Sequence, residues 1–455
     1  MNYIPNPSAI EVFSEQMAGQ MKVLTEGLGA AMGAKQETLA SLEQEVLQAL
    51  KTVGNVLLSG LCSLYVGKYA EPTMRCECGA EAVYQRLRTG ETQTVLGEVQ
   101  LKRPYYLCAA CHHGQCPLDA ALGFCAGGMS AGLQEVLALL GVQFPFEEAV
   151  QMLEQLTLVQ VSPNTCRKAT EEVGSLVAEQ EQAWVVAAWD RQHPSLPPVS
   201  AAITGDFYIS MDGVTVHLEG EGWKNQWLGA IYTTQATTST KRPATLEVRT
   251  RQPSFYTDLT TVETFGRHLW LEAQRRGLAH AKQVIVIGDG AHWIWKQAEE
   301  HFPNATQILD WYHATTYVWK AANAIFGENT DFAKHFAHQQ LDLLWAGNTQ
   351  AVLLRLEPYA AQKPLVNDTL TYFRNNQSRM HYADYRAQGW QVGSGTIESG
   401  CKHVIAARLK QAGMIWSRHG ARCVAKLRAA LKSGRWRQIM AQRPKPARTY
   451  HRHAA

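Results

Sequence analysis

Acidic residues are missing from the last 55 positions of this 455-residue chain: Cys401 to Ala455 hold 14 lysines or arginines and no aspartate or glutamate. That absence excludes a charge-balanced C-terminal segment. The 400 residues before it carry 29 basic and 40 acidic side chains, so a net charge of +3 conceals a strong asymmetry. A basic tail of this kind attracts a polyanion, usually nucleic acid; a solvated face without a partner is the plain alternative. Apolar runs approaching 18 residues are also missing, so no membrane span is expected. The opening residues, Met-Asn-Tyr-Ile-Pro-Asn-Pro, lack a secretion-signal pattern, and the expected location is cytoplasmic, at the nucleoid. Cysteine is sparse outside one stretch: six of ten lie between Cys76 and Cys125. In a cytoplasmic chain of this length that argues against a disulfide framework.

What is present is an ordinary folding composition, 46% apolar and 18% charged, in a chain long enough for two to four domains. Residues 1–70 read as a helical region in which Leu39, Leu42, Val46, Ala49, Val53 and Val56 form an apolar stripe. The stripe either packs on the protein's own domains or pairs two copies. Residues 71–128 read as a zinc-ribbon-like module. Cys76-x-Cys78 and Cys108-x-x-Cys111 are joined by strand-like residues, and two close thiolate pairs supply four soft ligands for structural zinc. The first gap is tighter than usual, so Cys116, His112 or His113 can stand in for one ligand. Reduced thiols without metal are the alternative, which exposed pairs make an oxidation liability.

Residues 129–189 read as helical. Ser162-Pro163 starts a second helix after a short turn. Two readings fit: a helix-turn-helix whose Asn164, Thr165, Arg167 and Lys168 face a DNA groove, or an ordinary helical hairpin. Glu171 and Glu172 count against the first. A Pro-rich linker is expected at 190–204.

Residues 205–315 then alternate between strand and helix. Phe207 to Leu218 reads as a strand with Asp212 in its middle, a position where a carboxylate is costly unless paired or metal-bound. Trp227–Thr234 and Thr245–Thr250 are candidate antiparallel partners, and Thr261–Arg276 is helical. Val284-Ile-Val-Ile-Gly-Asp289-Gly reads as a buried strand ending in an acid between glycines; that acid is either a helix cap or a site residue. Three strands, a helix and a fourth strand is the order of the RNase H-like fold, in which carboxylates from the first and fourth strands converge. Glu398 follows Gly393-Ser-Gly-Thr-Ile at the start of a long basic helix expected over Ser399–Trp416. Together Asp212, Asp289 and Glu398 offer hard oxygen donors for two Mg²⁺ or Mn²⁺ ions.

Ser210-Met-Asp212-Gly, Gly288-Asp289-Gly-Ala-His-Trp-Ile, Asp310-Trp-Tyr-His313 and Gly393-Ser-Gly-Thr-Ile-Glu398-Ser, in this order, resemble DDE transposases of bacterial insertion sequences. The nearest group looks like the ISKra-type elements, related to Mutator-like transposases. The resemblance implies a multidomain α+β protein with an RNase H-like core, a helical insertion (316–388), a final core part bearing Glu398 (389–436) and a basic tail (437–455). It implies Mg²⁺-dependent cleavage at terminal inverted repeats and strand transfer into target DNA. Asp212 and Asp289 hold metal, Glu398 completes the site, and His313 contacts the scissile phosphate or orients water. Lys402, His403, Arg408, Lys410 and Arg418 are expected on DNA phosphates, and Trp390 and Trp416 beside a distorted base or in the core. The partners expected are double-stranded DNA and further copies of the chain. The competing readings are a DNA-binding regulator that has lost catalysis and a structure-selective nuclease of the same fold.

Overall fold

Alternation of buried and exposed positions along residues 97–108 marks one face of a sheet as core. In the computed structural model, which describes residues 7–31, 38–69, 71–122, 124–125, 128–200, 202–238, 246–443 and 449–451, the chain is a multidomain α+β protein of two compact units. The first comprises Met1–Glu172 with Met440–Ala455, the second Val173–Ile439.

In the first unit, helices α1 (Pro7–Ala31) and α2 (Leu39–Leu64) precede strands β1 (Thr73–Arg75), β2 (Glu81–Thr94), β3 (Gly97–Cys108) and β4 (His113–Gln115). Helix α3 (Pro117–Leu122), short strands β5 (Phe124–Cys125) and β6 (Met129–Ser130), and helices α4 (Ala131–Gln143) and α5 (Phe146–Thr157) follow. The β2–β3 hairpin turns between Thr94 and Gly97, where the Thr94 hydroxyl donates to the Gly97 carbonyl and accepts from the Leu96 amide. Leu133, Leu137, Leu153, Cys166 and Ala169 form the helical core. Helix α6 (Pro163–Ala188) begins here, with the Ser162 hydroxyl accepting from the Thr165 amide.

The second unit is built on strands β7 (Asp206–Leu218), β8 (Gly222–Thr238), β9 (Leu246–Asp258), β10 (Gln283–Gly288) and β11 (Thr306–Leu309), in the spatial order β11-β10-β7-β8-β9. The pairings β7–β8 and β8–β9 are antiparallel, β7–β10 and β10–β11 parallel. The aliphatic run Ile285-Val-Ile287 is fully buried, as a parallel strand covered on both faces requires. Each such side chain stabilises the fold by about 1.5–3 kcal/mol at most. Helices α7 (Val262–Arg275) and α8 (His292–His301) alternate with the strands. An all-helical stretch follows: α9 (Trp311–Phe326), α10 (Asp331–Trp345), α11 (Thr349–Ala360), α12 (Pro364–Asn376) and α13 (Tyr382–Ala387). Then come α14 (Gly395–Gly400), a π-helical segment Cys401–Ala406, α15 (Ala407–Leu409), α16 (Arg418–Lys432) and α17 (Trp436–Ala441). Strand β12 (Thr449–His451) pairs with β4 in the first unit.

Four expectations change. Residues 190–204 do not separate the compact units; the division falls inside α6, between Glu172 and Val173. The Ser200 and Ile203 amides donate to Arg275 and Arg276 carbonyls at the end of α7, which ties the Pro-rich stretch to the second unit. The helix expected over Ser399–Trp416 is broken. It passes through the π-helical segment and ends at Leu409, and Gly413 at φ +75° redirects the chain. Trp416 then pairs with β7, its amide donating to the His217 carbonyl. Strand β9 runs on to Asp258, past Pro253; as a sheet-edge strand it tolerates the missing amide donor.

The fourth change concerns α2. Among the described residues it is the one helix long and apolar enough to cross a membrane by length and composition. Counting uninterrupted apolar runs passes over it because Glu43, Glu45 and Lys51 divide it. Its Asn55 amide donates to the Leu96 and Glu98 carbonyls, and Leu58 and Cys62 pack on Val99 and Leu101. One face therefore sits on the hairpin. Of the expected stripe, Leu39 and Val46 stand exposed, while Leu42, Ala49, Val53 and Val56 are half-buried.

Candidate functional site

Strand register brings the acids together. Ser210 pairs with Ile287 across β7 and β10, so two residues on, Asp212 and Asp289 stand level on adjacent parallel strands. Gly288 pairs with Leu309 across β10 and β11, so Asp289 stands level with Asp310 as well. Three carboxylates thus line one end of the sheet, at the carboxyl ends of β10 and β11, where open α/β sheets place ligands.

Each is held differently. Asp212 accepts from the Gly213 amide at 2.6 Å and from the Cys401 thiol at 3.3 Å. Burial pushes its carboxyl up; those two donors and His313 pull it back, and the charge of Asp289 raises it further, leaving it above the ordinary range. Burial, with Asp212 and Glu398 close by, pushes the Cys401 thiol up and keeps it a donor. Asp289 accepts from the Ala291 amide at 2.8 Å, a local turn that precedes α8. The helix cap proper is Ala291, with no side-chain bond. Gly290, at φ +98°, has the Tyr372 ring where a Cβ would lie, and the Tyr372 hydroxyl donates to the Asp289 carbonyl.

Asp310 is fully buried and caps α9. One oxygen takes the His313 amide at 2.9 Å and Nδ1 at 2.6 Å; the other takes the Ser394 amide at 2.6 Å. Its two oxygens are thereby committed to orienting neighbours. The Asp310 bond raises the His313 pKa above the ordinary imidazole value, with Asp289 and Glu398 adding to the effect. Because Nδ1 is engaged, Nε2 is the nitrogen left for the site. Glu398 is exposed, with one oxygen accepting from the Ser394 hydroxyl at 3.1 Å.

Ligand atoms of Asp310, His313 and Glu398 lie within 4.8 Å of one another. The expected trio of Asp212, Asp289 and Glu398 does not form such a cluster, and Glu398 accepts instead from Ser394 at its own helix cap. Asp310 is the centre that sequence reading left in a supporting motif. Its signal was the i, i+3 spacing to His313, which puts a cap residue and a histidine on one helical turn. Ser394, Cys401 and Tyr372 carried no such signal.

In the first unit, Cys76, Cys78, Cys108 and Cys111 converge with all four sulfurs within 4.8 Å of one another, and this cluster can bind a metal such as zinc. The Cys76–Cys111 and Cys78–Cys108 sulfurs are 3.6 Å apart, close to the ~3.8 Å edge of a tetrahedron with Zn–S bonds of 2.3 Å. The tight Cys76-x-Cys78 spacing is accommodated by a turn, the Gly79 amide donating to the Cys76 carbonyl. Amide donation from Cys111 holds the Cys108 thiol down to about 7, toward the thiolate that metals bind. Cys116, His112 and His113 lie outside the cluster.

The expected DNA contacts divide. Asn164 accepts from Arg167, Arg167 also pairs with Glu171, and Thr165 is engaged by Ser162; Lys168 is exposed. Lys402, His403 and Lys410 are exposed. Arg408 is not available to a phosphate: it is 1% exposed and its guanidinium lies 4.8 Å from the Trp416 ring. Trp416 itself is buried and donates to the Leu409 carbonyl. Arg418 is bound by Glu221 through two bonds.

Comparison with known proteins adds a family. Over 163 residues, 34% of this chain, the sequence is 26% identical to several UPF0236 proteins of Caldanaerobacter subterraneus subsp. tengcongensis. One of these carries a name that joins eleven loci and another a name that joins four, so such proteins recur in many copies in that bacterium. The alignment spans about a third of those relatives' length, 32% of each of these two. The model of "Uncharacterised protein family (UPF0236)" matches residues 35–443, and the chain belongs to that family.

Proposed function

We propose that this chain is a DDE-type transposase, similar to those of ISKra-type insertion sequences, that cleaves element ends and joins them to target DNA. The observation that carries the reading is the row of Asp212, Asp289 and Asp310 across three adjacent strands, with His313 and Glu398 closing on it. The order β11-β10-β7-β8-β9, three antiparallel strands followed by two parallel ones, supports an RNase H-like core. Relatives named for many loci in one bacterium support a mobile element.

The residues suit Mg²⁺ or Mn²⁺. Asp212 is half-buried beside the like charge of Asp289, a strain that a divalent cation relieves. Asp212, Asp289 and Glu398 would hold two such ions, while Asp310, fully buried and accepting three hydrogen bonds, stays behind them. Bound there, the ions would stabilise developing charge on the phosphodiester and lower the pKa of the attacking hydroxyl. The chain's own groups do the rest. Asp310 fixes the His313 ring and favours its protonated form, so Nε2–H is placed to donate to a phosphate oxygen. Cys401 orients Asp212, and Ser394 restrains Glu398. In the first unit, zinc on the four thiolates would fix the β2–β3 hairpin, with about one ion per chain. Double-stranded DNA is the proposed partner, with further copies of the chain, at the nucleoid.

The test is strand cleavage, with Mg²⁺, of DNA carrying the inverted repeats that flank the gene. Wild type should cut and join, and Asp289→Ala should bind without cutting. Binding by both with cutting by neither ends the enzyme reading in favour of a DNA-binding regulator. Cutting of branched DNA without the repeats, and without joining, favours a structure-selective nuclease.

A further inference from the structure

Beside the acids lies a cavity of about 630 Å³ in the second unit. Its wall includes Trp311, Tyr312, Trp345, Trp390, Arg386 and Gln391. We propose that this cavity receives a single unstacked nucleobase from a DNA strand whose phosphate lies at the Asp310–His313–Glu398 cluster. The inference rests on the DNA-processing reading of that cluster and adds the part of the substrate that the site grips.

The wall has the chemistry of a base receptor. Tyr312 is 60% exposed and Trp345 38%, although large aromatic rings normally seek burial. The Trp311 and Trp345 rings stand 4.6 Å apart, and the Arg386 guanidinium lies 3.9 Å from the Trp345 ring. Arg386 also donates to the Trp345 carbonyl, which fixes the pair. Trp390 is braced on Tyr385. Aromatic faces with an adjacent guanidinium bind bases of any sequence, since every base has a π-face.

The cavity and the acids share a wall. The Trp311 amide donates to the Val392 carbonyl at 3.0 Å, and the Ser394 amide donates to Asp310 at 2.6 Å. Between them, Gly393 lies so close to Tyr312 that a Cβ would come within 2.8 Å of the ring. A nucleotide with its phosphate at His313 therefore has an aromatic cavity within reach of its base. Of the two tryptophans that flank Glu398 in sequence, Trp390 faces this cavity and the buried Trp416 does not.

The experiment uses the full chain without added Mg²⁺ and fluorescence anisotropy. Two labelled ten-nucleotide single strands are compared, (dT)10 and an abasic sugar-phosphate strand of equal length. Wild type should bind (dT)10 about 5- to 150-fold more tightly, the range that base–aromatic stacking supplies. Tyr312→Ala and Trp345→Ala should bring that ratio to within about twofold while leaving affinity for the abasic strand unchanged, and Trp345→Phe should retain most of it. A wild-type ratio near one, an undiminished ratio in both alanine variants, or no measurable binding of (dT)10 overturns the inference. Mg²⁺-dependent cleavage separates the two readings. A base-dependent ratio without cleavage leaves the cavity assignment standing and sinks the transposase; cleavage with a ratio of one does the reverse.

Discussion

Asp310 and His313 show how one residue sets the chemistry of another. Asp310 is buried, so it has no entropy to lose in holding the imidazole, and its carboxylate favours the charged ring. A histidine whose folded pKa is raised adds stability that is complete below the unfolded value, about 6.5, and is lost as pH rises through the folded value. Asp310→Asn should remove that dependence. We expect the His313 titration followed by NMR without added metal to move down toward or below about 6.5, and the unfolding midpoint at pH 5.5 to fall relative to that at pH 8.5 when compared with wild type. Identical His313 titrations in the two proteins would show that Asp310 does not govern the ring. Asp212 and Asp289 were legible in sequence because an acid inside or at the end of an aliphatic strand conflicts with local preference. Asp310 was legible only as half of a spacing. Its other partner, the Ser394 amide, lies 84 residues on and is brought in by tertiary structure alone.

At the level of elements, the segment after Glu398 departs most from what its sequence suggests. Ala406, Ala407, Arg408, Leu409 and Lys410 favour an α-helix, yet the run that leads into them, Cys401–Ala406, adopts π-helical geometry, which recurs at functional sites. Arg428 of α16 explains how it is held. The guanidinium is 3% exposed and donates to the His403 and Val404 carbonyls, and burial pushes its pKa down to about 10. A contact from 24 residues away is invisible to helical periodicity, whereas the β10 strand, set by its own aliphatic run, was plain. Arg428→Leu leaves two carbonyls short of donors in the interior, at about 1–3 kcal/mol each, partly offset by removing a buried charge. A net loss of roughly 2–4 kcal/mol in urea unfolding is expected, together with a weakened Cys401 bond to Asp212. A loss below about 0.5 kcal/mol, the scale of surface changes, would mean that the π-helical segment holds itself.

Across the whole molecule, part of the charge asymmetry read from the sequence is spent inside the fold. Lys426, 2% exposed, lies 3.0 Å from Asp258 and also pairs with Glu181; Arg422 pairs with Asp258 and Arg435 with Glu272. Burial works against the Glu272 carboxylate, but Arg435 and Arg275 hold it down to about 2. The excess acids of the body and the excess bases of the tail are thus partly the two halves of buried pairs, which linear counting cannot reveal. The basic side chains left to meet a polyanion among the described C-terminal residues include Lys402, Lys410, Lys432 and Arg437, all exposed. Each lysine that neutralises a phosphate contributes about 0.9 to the slope of log affinity against log salt. If Lys402 and Lys410 lie on DNA, replacing both with alanine should flatten that slope by about 2. Arg418→Ala, which removes a charge already committed to Glu221, should leave it within about 0.5 of wild type. Binding titrations on one duplex from about 50 to 200 mM salt read both variants directly. The opposite ranking, with Arg418→Ala the steeper loss, would place the DNA across the Glu221 side of the unit and away from Lys402 and Lys410.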